Sequence, residues 1–227
     1  MRLLRYTSDG QIGLTQDLSD DERPRYAIFS HTWAIDIRDE VTFAEVTTEE
    51  GRKKVGYQKI WFCAEQAKKD GIHHFWVDTC CINKADHTEF SEAITSMYKW
   101  YQKAQKCYVY LDDVTLEPCN SKKARLSDWE SSLRASRWFT RGWTLQELLA
   151  PPHVVFFSKE WLCLGTKFEL ISVLHEITNI PIAALRGQAL SEFSVSERLQ
   201  WADGQEEGGQ SILLAWHLQC PYATYFR

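Results

Sequence analysis

The sequence predicts an α/β fold, in which a mainly parallel sheet is flanked by helices, with an inserted polar excursion and C-terminal helices. Short apolar runs rich in β-branched and aromatic residues, typical of buried strands, alternate with longer stretches of helical periodicity. Crossovers of this length favour right-handed βαβ units. At 227 residues, 44% of them hydrophobic, the chain can bury a core, and we expect one main domain with an appendage.

Four strands and two helices are indicated directly by these patterns. The apolar runs are residues 26–29, 74–77, 107–111 and 154–157. Apolar residues at i, i+3, i+4 and i+7 mark the helices, with Tyr57, Ile60, Trp61, Ala64 and Ala67 on the first and Ile94, Met97, Tyr98 and Tyr101 on the second.

Helix starts are indicated where Ser, Thr or Asp precedes Glu by three residues. The three pairs are Thr166 with Glu169, Ser127 with Glu130, and Asp86 with Glu89. Residues 113–137 form a polar excursion that is too long for an ordinary connection, so we expect either a mobile lid or an inserted helix that begins near Ser127. The acidic, glycine-rich segment 203–209 is typical of a linker, and we place the end of the main domain at residue 202.

Composition argues against several classes of function. A formal net charge of -5 gives no basic footprint for nucleic acid. No apolar run of about 18 residues is present to span a membrane, and the N-terminus lacks the apolar core of a signal peptide, so we expect a cytoplasmic protein. The seven cysteines include no CxxC pair and are expected to be reduced and mostly buried. The histidines and cysteines also lack the paired spacing that is typical of zinc ligands.

Polar residues follow three of the predicted strands, where ligands gather in an open parallel sheet. The segments are 30–33 (SHTW), 78–83 (DTCCIN) and 112–113 (DD). Turn formation explains any one of them equally well, because Asp, Ser and Asn favour turns. Their shared place at strand ends is the better indication of a site.

A lone carboxylate, Glu147, lies on a short predicted helix that Pro151 and Pro152 terminate. Trp143 and Glu147 are four residues apart and therefore neighbours on one helix face. The alternative is a solvated surface glutamate that pairs with Arg141. Spacing alone favours that alternative.

Three long motifs, in this order along the chain, resemble the heterokaryon-incompatibility (HET) domain of filamentous fungi. They are YAIFSHTW at 26–33, FWVDTCCI at 75–82 and RWFTRGWTLQELLAP at 137–151. The resemblance continues through residues 91–101 and 107–111 to SERLQWA at 196–202, so that it covers about residues 1–202. Beyond 202, family members usually continue with a basic, threonine-rich stretch. Residues 203–227 therefore resemble a divergent or truncated tail.

The resemblance implies a role in non-self recognition and programmed cell death. The family is regarded as distantly related to TIR domains, which implies a TIR-like or flavodoxin-like core at about residues 24–180. Some TIR domains cleave NAD with the glutamate of a Trp-x-x-x-Glu motif, and Trp143 to Glu147 has that spacing. NAD or a related dinucleotide is then expected as a substrate, with no bound cofactor. The expected catalytic residue is Glu147, and the expected binding residues are Ser30, His31, Trp33, Asp78, Cys81, Arg141 and Trp143.

A non-enzymatic TIR-like module that signals by self-association explains the same fold, with or without a regulatory protein partner. A thiol hydrolase that uses Cys80 or Cys81 with His31 is disfavoured, since no glycine-rich nucleophile elbow surrounds these cysteines. A Rossmann dehydrogenase is disfavoured because no Gly-x-Gly-x-x-Gly follows the strand at 26–29.

Overall fold

The computed structural model describes residues 1–116 and 126–201. It confirms the predicted α/β class, with seven strands in a mixed, mostly parallel sheet flanked by helices. The chain divides into two compact units, Met1–Tyr108 and Val109–Arg227. No helix in the described part of the chain is long and apolar enough to cross a membrane.

The first unit contains four strands and three helices. The strands are β1 (Leu4–Tyr6), β2 (Ile12–Leu14), β3 (Tyr26–His31) and β4 (His74–Trp76), and the helices are α1 (Glu49–Lys53), α2 (Tyr57–Lys69) and α3 (His87–Lys103). A fifth strand, β5 (Lys106–Tyr110), begins in this unit and ends in the second. Within the first unit the strand order is β2-β1-β4-β3. β3 and β4 are parallel, with Tyr26 opposite His74, whereas β1 is antiparallel to both β2 and β4.

The predicted apolar runs form the interior of the first unit. All six residues of β3 are buried, as expected of a strand covered on both faces. The buried stripe of α2 follows helical spacing through Ile60, Cys63, Ala64 and Ala67. Trp61, which we had assigned to that stripe, is exposed instead, since it lies about 100° around the helix from Ile60.

The described residues of the second unit form two further strands and five helices. The strands β6 (Val154–Phe157) and β7 (Cys163–Thr166) form an antiparallel hairpin with an irregularity between Phe156 and Phe157. The helices are α4 (Leu126–Arg134), α5 (Thr144–Leu149), α6 (Ile171–Thr178), α7 (Ile182–Leu185) and α8 (Val195–Gln200). Helix α4 confirms that the polar excursion contains an inserted helix. Residues 117–125 and the predicted tail at 203–227 lie outside the described residues, so the domain boundary at 202 stays a prediction.

Two of the three predicted helix starts form the expected hydrogen bonds. The Asp86 carboxylate accepts hydrogen bonds from the backbone N–H groups of Thr88 and Glu89, and α3 begins at the next residue, His87. Thr166 and Glu169 do exchange the expected hydrogen bonds, but they close a turn before α6, which begins at Ile171. Helix α4 begins at Leu126, next to the predicted start near Ser127.

Candidate functional site

In the first unit, the end of β3 carries a buried histidine between two carboxylates. The Nε2 atom of His31 lies 3.7 Å from Oε2 of Glu40, and its Nδ1 atom lies 3.8 Å from Oδ1 of Asp78. His31 and Ser30 are both buried, because the strand that ends at His31 is covered along its whole length. Two flanking carboxylates limit the rotation of the imidazole and give it acceptors on both sides.

Asp78 also orients the aromatic side chain that follows this strand. The indole Nε1–H of Trp33 donates a 2.8 Å hydrogen bond to Oδ2 of Asp78. The ammonium group of Lys84 lies 3.8 Å from the centroid of the Trp33 ring, a cation–π distance. Burial lowers the pKa of Lys84, while the charge of Asp78 acts in the opposite direction. The predicted binding residues His31, Trp33 and Asp78 are therefore brought together in one polar cluster.

Two further charged residues belong to this cluster. Oε1 of Glu40 accepts hydrogen bonds from Nζ of Lys59 at 2.5 Å and from the backbone N–H of Ala34 at 2.7 Å. Burial would raise the pKa of Glu40, but His31 and Lys59 outweigh it and hold that pKa well below its usual range. Lys59 also donates to the carbonyl of Thr32 at 3.2 Å. A buried ion pair thus braces the turn after β3.

The turn after β4 holds the two adjacent cysteines in the interior. Cys80 and Cys81 are buried, and the Cys81 sulfur accepts a 3.4 Å hydrogen bond from the backbone N–H of Val77. Burial raises the pKa of the Cys80 thiol well above its usual value, and the same holds for Cys63. A buried neutral thiol is a poor nucleophile, so the geometry gives no support to a thiol hydrolase.

In the second unit, Glu147 is buried, at 9% exposure, on the six-residue helix α5. This burial contradicts the alternative of a solvated surface glutamate. Trp143 is the residue before the first turn of α5, and the Thr144 hydroxyl donates a 2.6 Å hydrogen bond to the Arg141 carbonyl. The short helix therefore carries the predicted Trp-x-x-x-Glu motif, with Trp143 and Arg141 both half-buried at its start.

A buried lysine holds the other end of α5. Nζ of Lys167 donates hydrogen bonds to the carbonyls of Leu148, at 3.1 Å, and Pro151, at 3.0 Å. The Leu148 carbonyl lies in the last turn of the helix and the Pro151 carbonyl just beyond it, where no further helical amide is present to pair with them. Inside α5, Nε2 of Gln146 is buried and has no hydrogen-bond partner among the described residues. A buried amide donor without a partner is unusual in folded proteins.

The third predicted strand end has a structural role in the second unit. Asp113 accepts hydrogen bonds from the Ser136 hydroxyl at 2.7 Å and from the Arg137 backbone N–H at 2.8 Å. Asp112 forms an ion pair with Arg137. These two carboxylates fix the short 3-10 turn Arg137–Thr140 that precedes α5.

Sequence reasoning missed Glu40, Lys59 and Lys84. Glu40 follows a 3-10 turn, Lys59 lies on α2, and Lys84 lies in the loop after β4. No motif or regular spacing links these positions, because the contacts arise only when the three segments fold together. Within residues 1–116 and 126–201, no group of three or more His, Cys, Asp or Glu side chains is arranged to hold a metal ion.

Comparison with known proteins agrees with the motifs. Residues 26–125 match the family model of the heterokaryon incompatibility protein (HET). The chain is 47% identical over 201 residues, 88% of its length, to the vegetative incompatibility protein HET-E-1 of Podospora anserina. It spans about 15% of the length of that relative. No solved structure matches the chain. From the motifs, the family match and this identity, the chain belongs to the heterokaryon-incompatibility (HET) family.

Proposed function

We propose that this chain is an effector module of heterokaryon incompatibility, which promotes cell death by hydrolysing NAD at the nicotinamide–ribose bond. The observation that carries this proposal is the placement of Glu147. A carboxylate only 9% exposed, on a short helix that Lys167 fixes at its far end, is held largely away from water, where a fixed negative charge acts strongly on a developing positive charge. The unpaired donor on the adjacent Gln146 adds a second group suited to a polar ligand.

The chemistry assigned to Glu147 is that of a glycoside hydrolase. The bond between C1′ of the ribose and the nicotinamide nitrogen breaks, and its electron pair neutralises the pyridinium ring that leaves. The ribose then carries an oxocarbenium-like positive charge, which a nearby carboxylate stabilises. Water adds to C1′ and releases a proton, so that the products are nicotinamide, ADP-ribose and a proton.

The polar cluster of the first unit, taken by itself, has groups of the kind that hold a ribose and a flat ring. Asp78, whose side chain is 21% exposed, presents acceptor atoms suited to ribose hydroxyls, while Ser30 and His31 are buried and Nδ1 of His31 lies 3.8 Å from Asp78. Trp33 has the flat ring needed for stacking, with its plane fixed by the hydrogen bond to Asp78.

Self-association without catalysis is the second candidate function. The first unit exposes four large apolar side chains, which are Ile35 at 95%, Val55 at 67%, Ile37 at 59% and Trp61 at 56%. Exposed apolar groups favour contact with a protein partner when they are contiguous. A second copy of the chain is the partner that this candidate requires.

Nicotinamide release tests the enzymatic proposal. The purified chain, free and clustered on a scaffold, is incubated with NAD beside the variants Glu147→Ala and Glu147→Gln. We expect both variants to lose about 100-fold or more of the rate, as happens when a charge-stabilising group is removed from an active site. Glu192→Gln, an exposed glutamate of the same unit, is the matched control and should retain the rate.

Two results would decide between the candidates. Release that is lost in both Glu147 variants, with their circular dichroism unchanged, supports a glutamate-dependent glycohydrolase. No release from the clustered chain, together with undiminished cell killing by Glu147→Ala, rules out the enzymatic proposal. In that case Ile35→Asp should abolish both killing and self-association measured by light scattering.

A further inference from the structure

A second cleft, separate from the polar cluster after β3, lies within the first unit. It has a volume of about 530 Å³ and is bounded by the β1–β2 hairpin, helix α2 and the start of β4. This volume falls within the range of small-molecule sites. The side chains that give it chemical character are Tyr6, Trp61, Glu65, Lys68, His73 and Phe75.

An exposed indole provides the apolar surface of this cleft. Trp61 is 56% exposed, although the neighbouring Ile60 and Phe62 on the same helix are buried. Phe75 is buried and forms part of the lining. A large, half-open aromatic ring at the mouth of a cleft is suited to stacking against a planar ligand.

Two polar groups of the cleft, a carboxylate and an ammonium group, make no ion pair among the described residues. The Tyr6 hydroxyl donates a 2.7 Å hydrogen bond to Oε1 of Glu65, and burial together with this bond raises the pKa of Tyr6, which keeps the phenol protonated. No basic side chain lies within ion-pair distance of Glu65 in the described part of the chain, so its other oxygen is free to accept. The ammonium of Lys68 lies 5.4 Å over the Tyr6 ring and makes no ion pair among the described residues.

The spacing of three side chains along α2 indicates what length of ligand would contact all of them. Trp61, Glu65 and Lys68 stand at i, i+4 and i+7, which places them on one helix face. At a rise of about 1.5 Å per residue, Glu65 is about 6 Å and Lys68 about 10 Å along the axis from Trp61. Aromatic ring, acceptor and cation thus follow one another over the length of a nucleotide. Carboxylates commonly accept hydrogen bonds from ribose hydroxyls.

We infer that this cleft binds a nucleoside 5′-phosphate, with the base on Trp61, the ribose hydroxyls at Glu65 and the phosphate at Lys68 and His73. Neither the proposed hydrolysis of NAD nor Glu147 is required for this binding. The ligand therefore occupies a site of its own, in which a nucleotide is held without being cleaved.

Binding of 5′-AMP to the whole 227-residue chain, followed by isothermal titration calorimetry, tests this inference. We expect Trp61→Ala to weaken the affinity about tenfold or more, because the base loses its stacking surface. Lys68→Met should weaken it about threefold, as for an exposed ion pair. Lys69→Met is the matched control, since Lys69 is an exposed lysine of the same helix outside the cleft, and should leave the affinity unchanged.

Two controls complete the experiment. Adenosine tests the contribution of the phosphate, and Glu147→Gln tests whether binding is independent of Glu147. Adenosine should bind more weakly than 5′-AMP, and Glu147→Gln should bind 5′-AMP as the parent does, whether or not the chain cleaves NAD. Affinity for 5′-AMP that survives in Trp61→Ala, equal affinity for adenosine, or no saturable binding at millimolar 5′-AMP would each overturn the assignment. Absence of NAD cleavage by the parent chain, with 5′-AMP binding intact, would contradict only the proposed catalytic function.

Discussion

The ion pair beneath the turn after β3 gives a measurable contribution to stability. Glu40 is 3% exposed and accepts hydrogen bonds from Lys59 and from the backbone of Ala34. Glu40→Gln keeps the volume of the side chain but leaves the half-buried ammonium of Lys59 without an anion. Removing one partner of a buried pair typically costs about 3 to 5 kcal/mol, and since the Gln oxygen can still accept one hydrogen bond we expect about 3 kcal/mol at pH 7.

The pH dependence of this loss follows from the lowered pKa of Glu40. In the unfolded chain a glutamate has a pKa of about 4.3. Because the folded pKa lies well below that value, the stability from ionised Glu40 is fully present above about pH 4.3 and declines as the pH falls towards the folded pKa. The difference between the parent chain and Glu40→Gln should therefore be constant from about pH 6 to 8 and shrink below about pH 4.

Urea unfolding followed by circular dichroism measures this difference. Glu50→Gln, an exposed glutamate on α1, serves as the control and should change the free energy of unfolding by less than about 0.5 kcal/mol. Adding Lys59→Met to Glu40→Gln should recover part of the loss, because the unpaired buried ammonium is then removed. A loss below about 1 kcal/mol at pH 7, or one that does not shrink in acid, would refute the reasoning.

Three further substitutions have expected outcomes. A methyl group at Gly51 would lie 2.0 Å from the carbonyl oxygen of Glu45. Gly51→Ala should therefore lower the free energy of unfolding by about 2 kcal/mol. An unchanged melting temperature would contradict this contact. Lys167→Met leaves two carbonyls at the end of α5 without their donor. It should lower the free energy of unfolding in urea by about 2 kcal/mol. A loss no larger than that from substituting an exposed lysine would show that α5 does not depend on Lys167. Asp86→Ala should cost about 1 kcal/mol, and Asp86→Ser should recover most of it, because either oxygen caps α3.

The apolar pattern of the sequence predicted the buried strands well and the short outer strands poorly. The run at 154–157 coincides with β6, and the run at 26–29 forms most of β3. Strands β1, β2 and β7 were missed. Each has only three or four residues of mixed burial, so neither an apolar run nor a sustained alternation is present to indicate them.

The candidate site could be predicted only where its residues lie at strand ends. His31, Trp33 and Asp78 were found because they directly follow apolar runs. Glu40 and Lys59 were not, because nothing in the sequence states which distant charges will pair once the chain is folded. For Glu147, spacing alone favoured an exposed residue, and the structure instead buries every residue of α5. Burial of so short a helix depends on its neighbours in the fold, which no local pattern encodes.

The buried cysteines of the first unit allow its stability to be measured by chemical labelling. Cys63, Cys80, Cys81 and Cys107 all belong to that unit and are buried, whereas Cys163 in the second unit is exposed. Under native conditions a thiol-specific reagent modifies Cys163 at once, but it reaches the buried cysteines only through transient opening. Their labelling rates, resolved by peptide mass spectrometry, thus give the free energy of opening of the first unit without denaturant. A ligand that stabilises this unit would slow all four rates together.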